Sequence, residues 1–232
     1  MDKTLPFSAA LGFAALLSAA ALPLTTSHLV TGPSSHVQLT NTGTRAVTAW
    51  SIVITTHPED GRTRRVVQSG DAYLAEVTHD LPRSSPYLDW LLPGQSRDLP
   101  LDPQPADATA DVLAVVLDDG TALGEPQSLK AIFDHRIAER DEIHKVVDIF
   151  NAVLPVKQGT AALEELRTRF GSAPLQEESV PHRSAREAVD AFAQRATAGS
   201  PGSAEEADRA LRSYATFVQR QYDVASRHAV RK

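Results

Sequence analysis

The stretch Val112-Leu-Ala-Val-Val-Leu-Asp-Asp-Gly-Thr-Ala-Leu-Gly124 decides how the chain is read. Val112 to Leu117 is apolar at every position. So short a run, rich in β-branched residues and stopped by Asp119-Gly120, predicts a strand buried on both faces. Asp-Gly further predicts a type I′ hairpin turn, which needs positive φ at both central positions; glycine supplies one without steric cost. Upstream of this hairpin the pattern is short strands and turns. Downstream, from Pro126, it is helical.

Upstream, His28-Leu29-Val30 reads as a first edge strand inside a polar linker from Thr25 to Ser35. His36 to Thr40 alternates polar and apolar, as a half-buried strand does. After the turn Asn41 to Thr44, Ala46 to Thr55 forms the second clear strand, with Val47, Ala49 and Val53 on one face and Trp50, Ile52 and Ile54 on the other. Trp50 is the expected core anchor, since it buries a large area at one position. His57 to Gly61 makes a turn, Arg64 to Val67 leads the chain back, and Leu74 to Val77 reads as a further strand. Pro93-Gly94 is a turn dipeptide before a strand over Ser96 to Leu101, and Pro103 and Pro105 block regular pairing in the loop that follows. Short strands at this spacing predict a β-sandwich of immunoglobulin or fibronectin III topology.

The order Asn41-x-Gly-Thr-x-Ala-Val-Thr-Ala-Trp50, then Leu92-Pro-Gly94, then Ala-Val-Val-Leu-Asp-Asp-Gly-Thr running into a helix resembles uncharacterised secreted β-sandwich proteins of soil bacteria. The resemblance covers about Val37 to Arg136 and implies a fold and an exported location. It brings no activity and no catalytic residue.

Downstream, Leu129, Ile132, Phe133, Ile137, Ile143, Val146, Val147, Phe150 and Leu154 follow three-and-four spacing, the pattern of one amphipathic helix. Pro126 suits its first turn and Pro155 ends it. Such a helix would be roughly 40 Å long, more than the sandwich is tall, so part of it must meet something else. Thr160 to Phe170 is a second helix, ended by Gly171. A loop from Gly171 to His182 carries Pro174 and Pro181. Ser184-x-x-Glu187 and Ser203-x-x-Glu206 each spell a capping box opening a further helix, with a break at Gly199 to Gly202 between them. The fold class is therefore α+β, with a sandwich over 25–125 and a helical region over 126–232.

Residues 1–21 have the make-up of a secretory signal peptide: Lys3, an uncharged Ala/Leu-rich run from Phe7, and small residues at Ala19 to Ala21 for cleavage. A retained membrane anchor is the rival, disfavoured because alanine is weakly apolar. The expected location is secreted or periplasmic. Among the 232 residues there is no cysteine, so an exported fold must hold together by burial, without disulfides or thiolate chemistry. The net charge is −6, with the acid excess in the strand-rich half, which argues against nucleic acid as a partner.

Sites of chemistry are few. His135 and Glu139 share a helix face, but His144 lies too far along to complete a metal site, and His-Glu-x-x-His spacing is absent. Asp111, Asp118 and Asp119 lack the spacing of a calcium loop. His79-Asp80 and His57 with Glu59 and Asp60 have no nucleophile elbow to serve. No metal and no cofactor is expected. Paired carboxylates for glycoside hydrolysis are compatible with the sequence, yet aromatic residues make up only 6% of it. Trp90 beside Tyr87 is the one place where aromatics stand together on a Pro-flanked segment.

These observations predict an exported, non-catalytic interaction or scaffold protein of the cell envelope. Its contact with a protein partner or a second copy would run through the helical region, at Phe133, Ile137, Val147 and Phe150, with Tyr87 and Trp90 as a second candidate surface. A membrane would be a partner only if the leader is kept. The alternative is a hydrolase of envelope carbohydrate or peptide with its site at the sandwich–helix junction.

Overall fold

A computed structural model describes residues 21–31, 34–57, 62–78, 90–101, 107–171, 179–197 and 203–230. The leader, the turn residues Pro58 to Gly61, the His79-Asp80 pair, Tyr87, Pro103, Pro105, Pro174 and the break at Gly199 to Gly202 lie outside them.

Among the described residues seven strands come first: β1 (Leu24–Thr31), β2 (Ser34–Asn41), β3 (Val47–Thr56), β4 (Arg64–Asp71), β5 (Ser96–Pro100), β6 (Ala108–Leu117) and β7 (Ala122–Gly124). Four helices follow: α1 (Pro126–Val153), α2 (Gly159–Gly171), α3 (Val180–Ala196) and α4 (Ser203–His228). The class is α+β. The strands form two antiparallel sheets, one ordered β1-β2-β5 and the other β4-β3-β6-β7.

The Val112 run lies in β6, between β3 and β7. Val115 and Leu117 join an apolar cluster that draws on both sheets, with Val37 and Leu39 from β2 and Trp50, Ile52 and Ile54 from β3. Ala114 and Val116 face the other way, onto α1. Burial on both faces is thus what the sequence led one to expect. The hairpin turn is not type I′. In the turn Gly120 alone takes positive φ, at 85°, and among the described residues none other than glycine does so. Gly120 N donates to Leu117 O and Leu117 N to Thr121 O, the pattern of a three-residue loop in which the glycine makes a bulge.

Three further expectations change. Val47 faces the same cluster as Trp50, because the β3–β6 pairing shifts register between Val47 and Ala49 and inverts the alternation at that point. Leu74 to Val77, expected as strand, lies in a 3₁₀ turn over Tyr73–Thr78. Asp71 Oδ1 accepts from Tyr73 N, and Ala75 N donates to Ala72 O, so local bonds wind the chain where periodicity suggested extension. Helix α3 begins at Val180 rather than at Ser184. Ser179 is its cap, its side chain accepting from His182 N, and Pro181 sits in the first turn, where a missing N–H costs nothing.

Helix α1 serves both parts of the molecule. Its first half places Leu129, Ile132 and Phe133 on Ala49, Ala114 and Val116 of the second sheet. Its second half gives Ile143, Val146, Val147, Phe150 and Val153 to a core shared with Leu163, Leu166 and Phe170 of α2, Val189 of α3 and Leu211 and Val218 of α4. The shorter helices fold back over the part that outruns the sheet. Among the described residues, no helix is long and apolar enough to cross a membrane.

Candidate functional site

Where β4, the 3₁₀ turn, α1 and α4 meet, an arginine lies on the apolar stripe of α1. Arg136 is fully buried. A buried guanidinium is tolerated only when its donors and its charge are matched. Nε donates to Asp71 Oδ2 at 2.7 Å and Nη2 to Asp71 Oδ1 at 2.9 Å, a two-pronged pair with the last residue of β4. Nη1 donates to the carbonyl of His228 at 3.3 Å, near the end of α4. The guanidinium stands 4.8 Å from the Tyr73 ring centroid and 5.5 Å from that of Phe133, so aromatic rings supply favourable faces to its cation.

Around this clamp the other polar groups also engage one another. Tyr73 Oη donates to Glu139 Oε2 at 2.8 Å. Burial, and then the Glu139 carboxylate, push the phenol's pKa well up, so it stays protonated and remains a donor. Glu76 is held at Oε1 by a hydrogen bond from Arg227, while His228 Nε2 lies 2.7 Å from Oε2. Burial opposes ionisation of Glu76, but the hydrogen bonds from His228 and Arg227 outweigh it and bring the carboxyl below its ordinary value. Trp90 Nε1 donates to Ala72 O at 2.8 Å, just before the 3₁₀ turn.

A cavity of about 350 Å³ opens beside the clamp, between the β6–β7 turn and the end of α4. Asp118, Asp119, Glu76, Arg136, His228 and Val230 are among its lining residues. Arg45 Nε lies 2.7 Å from Asp118 Oδ1 and 3.2 Å from Asp119 Oδ2. Asp119 also accepts from Thr121 N, the chief reason its carboxyl falls below the ordinary value. A second cavity, of about 400 Å³, lies where α1 leaves β4 uncovered, with Ser51, Ser69, Asp71, Ser128 and His135 around Val67 and Ile132.

The residues singled out from sequence are dispersed by the fold. Phe133 is buried against the sheet, and Val147 and Phe150 are buried in the helical core. Ile137 keeps 38% of its surface exposed. Trp90 is half-buried, and Tyr87 is outside the described residues. His135 lines the second cavity while Glu139 serves Tyr73, and His144 packs against the Tyr222 ring at 4.8 Å. Among the described residues no group of three or more His, Asp or Glu is placed to hold a metal ion.

Arg136 escaped the sequence reading although a signal was there. It falls seven residues after Leu129 and seven before Ile143, in phase with the apolar stripe. A charge in that phase demands a buried counter-charge. Which acid answers it, Asp71, depends on the path of β4 and was not legible.

No protein family matches this chain, and no curated protein is detectably similar to it. A solved structure described as a hypothetical protein from Peptoclostridium difficile 630 aligns with 48% of this chain and 91% of its own, at 9% identity and a TM-score of 0.28.

Proposed function

We propose that the protein is an exported, non-catalytic interaction or scaffold protein of the cell envelope, a β-sandwich of immunoglobulin or fibronectin III kind carried on a helical region. The strand order supports the sandwich. β3, β6 and β7 stand in the relation of strands C, F and G of such a domain, with β4 extending that sheet beside C, and the buried Trp50 on β3 has its counterpart in the strand-C tryptophan. The resemblance to secreted proteins of soil bacteria and the make-up of residues 1–21 support export.

One observation carries the non-catalytic part: the ionisable groups at the junction are engaged with one another. Asp71 clamps Arg136, Glu139 takes the Tyr73 proton donor, and Glu76 is held by Arg227 and His228. A glycoside hydrolase at this junction would need a carboxylic acid raised above its ordinary pKa to protonate a leaving group. The junction carboxylates whose ionisation shifts, Glu76 and Asp119, shift towards the charged form. The cavity flanked by Glu76 and Asp118 is what favours the alternative, a hydrolase of envelope carbohydrate or peptide.

A protein partner would contact the helical region at Ile137, the candidate there that reaches solvent, while Phe133, Val147 and Phe150 act through the fold. The negative net charge continues to argue against nucleic acid. The test compares wild type with Ile137→Asp in pull-downs from envelope extract, and with Glu76→Gln in hydrolysis assays on envelope glycan and peptide. Expected are capture by wild type, loss of capture by Ile137→Asp with folding unchanged, and no hydrolysis. Hydrolysis by wild type that Glu76→Gln abolishes overturns the proposal in favour of the enzyme. N-terminal sequencing of exported protein checks the leader, which should be cleaved near Ala21.

A further inference from the structure

β4 ends its sheet, and among the described residues no strand pairs with its outer edge. Val66 and Val67, side by side on this edge strand, are 55% and 63% exposed. They sit opposite Ile54 and Val53 of β3, so one valine points to each face of the sheet. An edge strand with backbone donors and acceptors facing outward and apolar side chains on both faces is a template for another strand.

We propose that the occupant is β4 of a second copy, paired antiparallel across a two-fold axis so that the two sheets become one. Such an axis must stand perpendicular to the sheet, since only then does it reverse the strand direction while leaving each sheet on its own side. It therefore preserves the faces, and a residue must oppose one that points the same way. The charges of β4 choose among the registers this allows. Arginines stand at its start, Arg64 and Arg65, and an aspartate at its end, Asp71. Pairing centred on Gln68 sets Arg65 of each copy opposite Asp71 of the other, Val67 opposite Ser69 and Val66 opposite Gly70. Opposite charges directly across a ladder stabilise it, and like charges destabilise it. Pairing centred on Arg65 would set arginine against arginine.

Two local features suit that register. Asp71 gives each oxygen to Arg136, and Oδ1 also accepts from Tyr73 N, which leaves Oδ2 a lone pair to accept from a further arginine. Gly70 has the Trp50 indole lying where its side chain would be, 2.7 Å from the position of a Cβ. Val66 of the second copy would thus stand across from a glycine and next to an aromatic ring. This inference does not rest on the helical region taking a partner.

Sedimentation of the wild-type chain over a range of concentrations should show a reversible dimer. Arg65→Glu, at an exposed position, should weaken it by about tenfold or more, because both cross-strand pairs turn repulsive. The chain has no cysteine, so Gln68→Cys at the axis gives a clean probe. A short bis-maleimide should join two such copies, while Val156→Cys, at a position 77% exposed beyond α1, should stay unjoined. The inference is overturned by a wild type that is monomeric throughout. A dimer that Gln68→Cys fails to capture, a dimer indifferent to Arg65→Glu, or cross-linking of Gln68→Cys to some other protein in place of its copy would equally overturn it.

Discussion

Along the first half of α1 the buried residues rest on Ala49, Ala114 and Val116 of a sheet, with Ala122 beside them, whereas along the second half they meet three other helices, which bring Leu163, Phe170 and Leu211 together with Ala162, Ala185, Ala207 and Ala225. Phe150 alone has the rings of Phe170 and Tyr214 at 5.5 and 6.0 Å. Alanines let the helix lie close to the strands, but they cover a narrow contact on β3 and β6 and leave β4 bare. The helical side surrounds its segment instead. One element is thus a lid at one end and a core strut at the other, and the Arg136–Asp71 clamp stands between them. The comparison teaches that the amphipathic stripe of a long helix does not say what it packs on; the path of the rest of the chain does.

The largest effect should come from the clamp. Asp71→Ala leaves Arg136 buried without its counter-charge and should destabilise by about 3–5 kcal/mol. Chemical denaturation followed by helix circular dichroism measures it. Replacing the pair together, Asp71→Leu with Arg136→Met, should cost far less, because no unpaired charge remains. If the single and double changes are equal, the clamp does not hold α1 to β4 as described.

Next come matched truncations on either side. Leu129→Ala and Leu211→Ala each remove a fully buried leucine and should cost about 2–5 kcal/mol. Both tryptophans, Trp50 and Trp90, precede α1, so their fluorescence reports the strand-rich part while circular dichroism at helical wavelengths reports the rest. If α1 couples the two, the probes give one transition in each variant. Separate transitions would break the comparison, showing two cores that merely share a helix.

A smaller effect belongs to the hairpin. Gly120→Val forces a β-branched residue to φ of 85° and should destabilise by about 1–3 kcal/mol. Asp119→Asn should be nearly silent, since an amide oxygen can still accept from Thr121 N. Equal losses would place the strain elsewhere in the turn.

The smallest concerns acid. The folded state holds Glu76 below its ordinary pKa, so its contribution is full above the unfolded value and is lost as pH falls through the folded one. Glu76 is partly exposed, and the contribution should be under about 1 kcal/mol. Glu76→Gln should flatten that part of the acid limb of stability against pH. An unchanged limb would mean that the end of α4 is not held through this carboxylate.

Much of the fold could be read from the residues. Pro126 and Pro155 bracket α1, Asp119-Gly120 ends β6, and the burial of Trp50 and of Ala114 to Leu117 follows from apolarity alone. What failed was phase. One register shift moved Val47 to the other face, and Leu74 to Val77 lies in a 3₁₀ turn at whose start Asp71 Oδ1 accepts from Tyr73 N. Ser184 offered a cap as good as Ser179, and the choice fell to Pro181, which suits a first turn and no later one. The candidate site was less legible, because it is made by long-range pairs. Asp71 with Arg136 and Glu76 with His228 join parts of the chain that periodicity cannot relate.

The placing of α1 also bears on how such a chain could be divided or exchanged between proteins. Cutting after Glu125, where strands give way to helix, would strip Leu129, Ile132 and Phe133 from the second sheet and bare Ala49, Ala114 and Val116 to water. A fragment meant to stand alone would have to keep the helix past Arg136. The remainder, begun later than Ile143, would in turn lack part of its own interior. The unit that can be inherited or transplanted is therefore not bounded at the place where the secondary structure changes, since a recombination point at that border would take from the second sheet the helix that covers it.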